Sequence, residues 1–182
     1  GSPRSLPALS HLWNGNIEPL SVDRLAAECD TVFLTLPDSV AAEIGPALVA
    51  QGVRVFDLSG TFRLRDPAQR HHWYPATPDL DTPVVYGLTE YARDALPEAR
   101  LVACPGCYPT AALLALRPLH DSGSIQGDVI IDAKSGISGA GKTPSERTHF
   151  SECHGSVSAY GVLAHRHGAE IEQELARTVT FT

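Results

Sequence analysis

Two cysteines three residues apart, Cys104-Pro-Gly-Cys107, and two histidines flanking an arginine, His165-Arg-His167, have the side chains best suited to chemistry in this sequence. A thiol attacks an electrophile only as the thiolate, and its pKa of about 8.5 falls at a helix N-terminus or beside a cation. Cys107 meets the first condition. Arg100-Leu-Val-Ala-Cys104 is an apolar strand signal, Pro105-Gly106 breaks it, and Pro109 suits the first turn of a helix running to about His120. The cysteine then stands at the carboxyl end of a parallel strand, where open α/β sheets bind ligands. Histidine is the usual carrier of protons near neutral pH, so the His165-Arg-His167 cluster is the natural partner. Alternation along an extended segment would point Arg166 away from both histidines, with its planar fork free for a carboxylate or phosphate.

Each feature has a plainer reading when taken alone. A cysteine at a strand end is often a small buried hydrophobe, and histidines ahead of a helix often cap it or face solvent. The C-x-x-C spacing also suits a zinc site with Cys153 and His154 or the histidine pair, or a dithiol redox motif at Cys104 and Cys107. Against the dithiol, Cys104 lies inside the strand signal. The loop Ser135-Gly-Ile-Ser-Gly-Ala-Gly-Lys142 offers backbone N–H groups and close approach for a phosphate or an amide, but lacks the spacing of a Walker loop.

Strand and helix signals alternate along the chain, which predicts an α/β fold on a mainly parallel sheet. Ser21 caps a helix to Glu28, and Thr31 to Leu36 reads as a strand stopped by Pro37. Asp38 or Ser39 caps a helix to about Ala50, ended by Gly52, and Val53 to Leu58 is the next strand, closing in the turn Ser59-Gly60-Thr61. Four prolines between Asp66 and Pro83 predict an irregular loop. Pro83 to Gly87 and Gly127 to Ala133 read as strands, Glu170 to Arg177 as a helix whose charge order suits its dipole, and Thr178 to Thr182 as a last strand. The net charge of -7 offers no basic stripe for nucleic acid or anionic lipid. The apolar runs are far shorter than the roughly 20 residues that span a bilayer, so a cytoplasmic protein is expected.

Four strings, in order, carry a resemblance to a known family: Phe56-Asp-Leu-Ser-Gly-Thr-Phe-Arg-Leu-Arg-Asp66, Val102-Ala-Cys-Pro-Gly-Cys-Tyr-Pro-Thr-Ala111 with Ala115-Leu-Arg-Pro118, Ser135 to Lys142, and His165-Arg-His-Gly-Ala-Glu-Ile-Glu-Gln-Glu-Leu175. Together they resemble the N-acetyl-gamma-glutamyl-phosphate reductases of the semialdehyde dehydrogenase superfamily. The resemblance implies reversible, NADP-dependent reduction of an acyl phosphate to an aldehyde through a thioester on Cys107, with His165 as acid/base partner and His167 supporting it. It further implies that Ser59, Gly60, Ser138 and Gly139 contact the cofactor, that Arg63, Arg166 and His167 serve the substrate, and that the enzyme is a homo-oligomer without a catalytic metal. Tyr86, Tyr108 and Tyr160 also resemble family positions, where packing is their commoner use. By resemblance, residues 1–106 form part of a Rossmann-like NADP-binding domain, and residues 107–182 part of an α+β catalytic and dimerisation domain. An aspartate-semialdehyde or lysine-pathway reductase would use equivalent chemistry.

The sequence departs from the family at Cys104, where asparagine is common, and at Asp38-Ser39, where histidine-glycine is common. No G-x-x-G-x-x-G element precedes residue 32, and the family sheet continues beyond the position of Thr182. The chain is therefore expected to be a partial representative that binds NADP poorly alone and exposes a sheet edge.

Overall fold

In a computed structural model of the chain, residues 11–12, 15–79, 81–141 and 143–182 are described; residues 1–10 of the expected first domain and Lys142 of the small-residue loop lie outside them. The architecture is α/β, as expected. Helix α1 (Val22–Glu28) is capped by Ser21, whose Oγ accepts the Arg24 N–H at 3.3 Å. Strand β1 (Thr31–Leu34) leads to α2 (Asp38–Ala50), and β2 (Arg54–Asp57) follows the left-handed turn at Gly52, φ +84°. The N-cap of α2 is Pro37 rather than Asp38 or Ser39. Asp38 turns its side chain away to accept the Gly60 N–H, so the carboxylate is occupied elsewhere.

Strands β3 (Val84–Tyr86) and β4 (Leu101–Ala103) complete a parallel sheet in the order β1-β2-β4-β3, with Phe56 opposite Val102 and Val85 opposite the same residue. Its core unites Leu34, Val55, Leu101 and Ala103 with Leu48 of α2 and Phe62. Small residues on the inner face of α2 permit this close packing: a Cβ on Gly45 would meet the Phe62 ring at 2.9 Å. The segment expected to be irregular contains a helix, α3 (Pro67–Trp73). Asp66 accepts the Ala68 and Gln69 N–H groups, and Pro67 occupies the first helical position, where its missing N–H is not needed.

Short helix α4 (Thr89–Ala92) precedes β4, and α5 (Cys107–Asp121) follows it. A second apolar cluster forms where α5 packs on α7 (Arg166–Leu175): Tyr86, Leu88, Tyr108, Leu113, Ile171, Leu175 and Phe181. The strong strand signal over 127–133 yields only β5 (Ile130–Ile131), paired in parallel with β6 (Thr180–Phe181). With β6 as its one neighbour among the described residues, β5 extends no further. Between them lie two 3-10 turns, Ile137–Ala140 and Glu146–Thr148, and the short helix α6 (Phe150–Cys153). Among the described residues no helix is long and apolar enough to cross a membrane.

Candidate active site

The turns leaving β2, β3 and β4 gather at one edge of the sheet: Ser59 to Thr61, Gly87, and Cys104 to Gly106. Cys107 is the first residue of the 15-residue helix α5 and its side chain is exposed. The helix begins two residues before Pro109, so the thiol stands among the unsatisfied N–H groups and positive dipole end of α5. Cys104 is half-buried, and burial followed by the Asp57 charge pushes its thiol pKa up, which keeps it protonated.

Beneath the cysteine turn lies Glu170 of α7, fully buried. Its Oε2 accepts the Gly106 N–H at 3.1 Å and the Tyr86 hydroxyl at 2.9 Å, while Oε1 accepts Arg63 Nη1 at 3.2 Å. Burial pushes this carboxyl pKa up against the opposing pull of Arg63, Gly106 and Tyr86. Gly106 and Arg63 can only donate to it, and His167 Nε2 stands 3.8 Å from Oε1. Arg63 is itself buried. Its Nε donates to Cys104 O at 2.8 Å and its Nη2 to Leu58 O at 2.9 Å, so the guanidinium expected to hold a substrate anion is instead enclosed by protein acceptors.

The His165-Arg-His167 string is the start of α7, not an extended lead-in. His165 is the N-cap, and its Nδ1 accepts the His167 N–H at 3.1 Å. The rings of Tyr108 and Tyr160 lie edge-on to it, each 5.6 Å between centroids, and Phe181 is at 5.4 Å. Tyr108 adjoins Cys107 in the chain, and the Tyr160 hydroxyl, hydrogen-bonded to that of Tyr108 at 2.7 Å, is close enough to Cys107 to feel its charge. The two tyrosines therefore bring Cys107 and His165 into one cluster. Burial, then Arg166, lowers the His165 pKa. His167 is buried under the cysteine turn, where a Cβ on Gly106 would lie 2.5 Å from its Nε2. Burial first, then His165, Arg63 and Arg166, brings its pKa down to about 3, and its Nδ1 has no partner among the described residues. His167 is thus a neutral packing element of the turn.

Arg166 is exposed on the other side. One Nη1 contact of 3.4 Å joins it to Asp38 Oδ2, and its guanidinium lies 5.6 Å from the Tyr74 ring centroid. Its remaining donors make no hydrogen bond among the described residues, so of the two arginines it is the one available to an anion.

The turn 59–61 uses its own donors internally. Ser59 N–H reaches Asp57 Oδ1, Gly60 N–H reaches Asp38 Oδ1, and Thr61 N–H reaches Ser59 Oγ. A Cβ on Gly60 would collide with Tyr74 at 2.1 Å, which shows how closely that ring seals the turn. These donors are thus engaged within the chain, which leaves Ser59 and Gly60 few free groups for a cofactor, and Asp38 adds a carboxylate beside them. Ser138 and Gly139 fit a nicotinamide group better. They lie exposed on the 3-10 turn 137–140. For the zinc alternative, no group of three or more His, Cys, Asp or Glu side chains is gathered in metal-binding geometry among the described residues.

Glu170, Tyr86 and Asp38 were missed as site residues by sequence reasoning. Tyr86 and Glu170 stood within stretches that resemble the family, and Asp38 as a departure from it, but none of these signals pointed to a site.

Comparison with known proteins agrees with this layout. Residues 4–99 match the model of the semialdehyde dehydrogenase NAD binding domain, and residues 107–182 that of the semialdehyde dehydrogenase dimerisation domain. N-acetyl-gamma-glutamyl-phosphate reductases from Synechocystis sp. and Halorhodospira halophila are 46% and 48% identical, over 95% and 94% of this chain. The chain spans about half the length of these relatives, 51% of each. A crystal structure of aspartate semialdehyde dehydrogenase II from Vibrio cholerae shares the fold, with TM-score 0.59 and 15% identity over 86% of this chain and 51% of that one. The chain therefore belongs to the semialdehyde dehydrogenase family, and its curated relatives are N-acetyl-gamma-glutamyl-phosphate reductases.

Proposed function

We propose that the protein carrying this chain is an NADP-dependent N-acetyl-gamma-glutamyl-phosphate reductase. It would interconvert N-acetyl-glutamyl 5-phosphate and N-acetyl-glutamate 5-semialdehyde in the cytoplasm as a step of arginine biosynthesis. The observation that carries the reading is Cys107 exposed at the first position of α5, clustered with His165 through Tyr108 and Tyr160. Identity of 46–48% to reductases of that name supports the substrate.

Cys107 forms a C–S bond to the acyl carbon, and phosphate leaves with the C–O electron pair. Ser138 and Gly139 would hold the nicotinamide end of the cofactor, which would supply hydride for the reductive half. His165 attends the acyl oxygen, and Arg166 takes a substrate carboxylate or phosphate. Arg63 and His167 shape the cysteine turn from below. We also place the boundary between the nucleotide and catalytic halves at residues 106 and 107; the two family models, ending at 99 and starting at 107, support it. The reading includes a homo-oligomer, which the dimerisation-domain match supports.

The intact protein, given N-acetylglutamate semialdehyde, phosphate and NADP, is expected to form reduced nucleotide faster than with NAD, and only when phosphate is present. Turnover that persists without phosphate, or in Cys107→Ser, would remove the acyl-phosphate reading.

A further inference from the structure

The hydrogen bond that makes His165 the cap of α7 also fixes where its proton sits. The donor is the backbone N–H of His167, whose hydrogen cannot move, so Nδ1 must present a lone pair at 3.1 Å. A neutral imidazole with its lone pair on Nδ1 carries its hydrogen on Nε2. That nitrogen makes no hydrogen bond within the chain among the described residues. The groups facing the ring are Tyr108 of α5, Tyr160, Phe181 of β6, and His167 and Arg166 of its own helix. Among the described residues no carboxylate lies within ion-pair distance of it. Burial and the neighbouring cation Arg166 both oppose a second proton on the ring.

We propose that His165 works as a neutral electrophile, polarising the acyl oxygen through Nε2–H, and is not the base that ionises Cys107. This rests on reading Cys107 as the nucleophile, and it defines the part His165 plays beside it. The thiol proton goes to solvent, and the sulfur attacks from the first residue of α5. As the C–S bond forms, the carbonyl electron pair moves to oxygen, where Nε2–H holds the alkoxide. The pair returns as the C–O bond to phosphate breaks, and the departing phosphate takes its proton from water. His165 ends each turnover with the proton it began with. A donor so placed contributes about 10²–10³ in kcat.

Three measurements on the intact protein test this, the first two of them independent of turnover. In a nitrogen-15 spectrum near neutral pH, the His165 signal, assigned by its loss in His165→Gln, should show a protonated Nε2 and a bare Nδ1. The pH midpoint for alkylation of Cys107 by iodoacetamide should be the same in wild type and His165→Ala. The turnover of His165→Ala should fall about 10²–10³, with partial recovery in His165→Gln, whose amide donates a hydrogen bond but cannot act as a base. A protonated Nδ1, or an alkylation midpoint raised by about one pH unit or more in His165→Ala, would overturn the proposal. Both readouts stand without reductase activity, so a wrong substrate would leave this inference intact, and a wrong role for His165 would leave the substrate assignment intact.

Discussion

At the level of single residues, the turn before Cys107 has no spare room. Gly106→Ala would place a methyl group 2.5 Å from His167 Nε2, against a ring that is itself enclosed. Either the turn or the imidazole must move, and overpacking of this kind costs about 1–3 kcal/mol. Gly106→Ala should lower the thermal midpoint and turnover together, whereas a glycine kept only for flexibility would show neither loss. His167 gives the fold a dependence on pH. Its pKa is about 3 when folded, against an ordinary value of 6.5, so between those limits the unfolded chain binds a proton that the folded chain refuses. Its contribution to stability is therefore complete above about pH 6.5 and is lost as the pH falls toward 3. Urea midpoints measured across that window should fall toward acid, and less steeply in His167→Phe. Equal slopes would show that His167 does not couple to folding. Cys107 and His165 could be singled out as candidates from the sequence because the chemistry expected of them depends on residue type and near neighbours. The burial of Arg63 and His167 was not, because both are enclosed by segments distant in the chain.

At the level of elements, Glu170 joins α7 to three others. Its partners Gly106, Tyr86 and Arg63 are 64, 84 and 107 residues away in sequence, a convergence no local pattern encodes. The helix itself was visible in the string Glu170 to Leu175, but its start at Arg166, capped by His165, depended on a side-chain contact. Helix α3 was hidden by the prolines around it, although Asp66-Pro67 is a cap followed by a favoured first residue. Removing one partner from a buried ion pair costs about 3–5 kcal/mol. Glu170→Gln leaves Arg63 without its counter-charge and weakens the hold on the Gly106 N–H, so it should destabilise the protein by roughly that amount and slow alkylation of Cys107. Tyr86→Phe removes a single hydrogen bond and should cost about 1 kcal/mol, with less effect on the thiol. If chemical denaturation ranked the two variants equally, Glu170 would not be the centre of this network.

At the level of the whole molecule, α7 ties the part of the chain after Cys107 to the turn that follows β2. Besides the Arg63–Glu170 pair, Gln173 accepts the Arg65 N–H at 2.6 Å and donates to Arg63 O at 3.0 Å, and Arg65 pairs with Glu174 at 2.7 Å. Asp38 and Arg166 add a contact between the start of α2 and the start of α7. The parallel α/β layout was legible because strand and helix periods alternate along the sequence; this cross-linking was not, since its partners stand more than a hundred residues apart in the chain. Asp38 holds Arg166 through a single 3.4 Å contact, and Asp38→Asn should release that side chain. The expected result is a KM for the anionic substrate altered several-fold with kcat nearly unchanged. A change confined to kcat would argue against Arg166 as the substrate anchor.

The covalent step can be observed without any nucleotide. Intact protein mixed with N-acetyl-glutamyl 5-phosphate and no NADPH should gain the mass of one N-acetylglutamyl group, mapped to the peptide containing Cys107 and released by hydroxylamine. Acylation of another residue, or equal labelling of Cys107→Ser, would contradict a thioester at the N-terminus of α5.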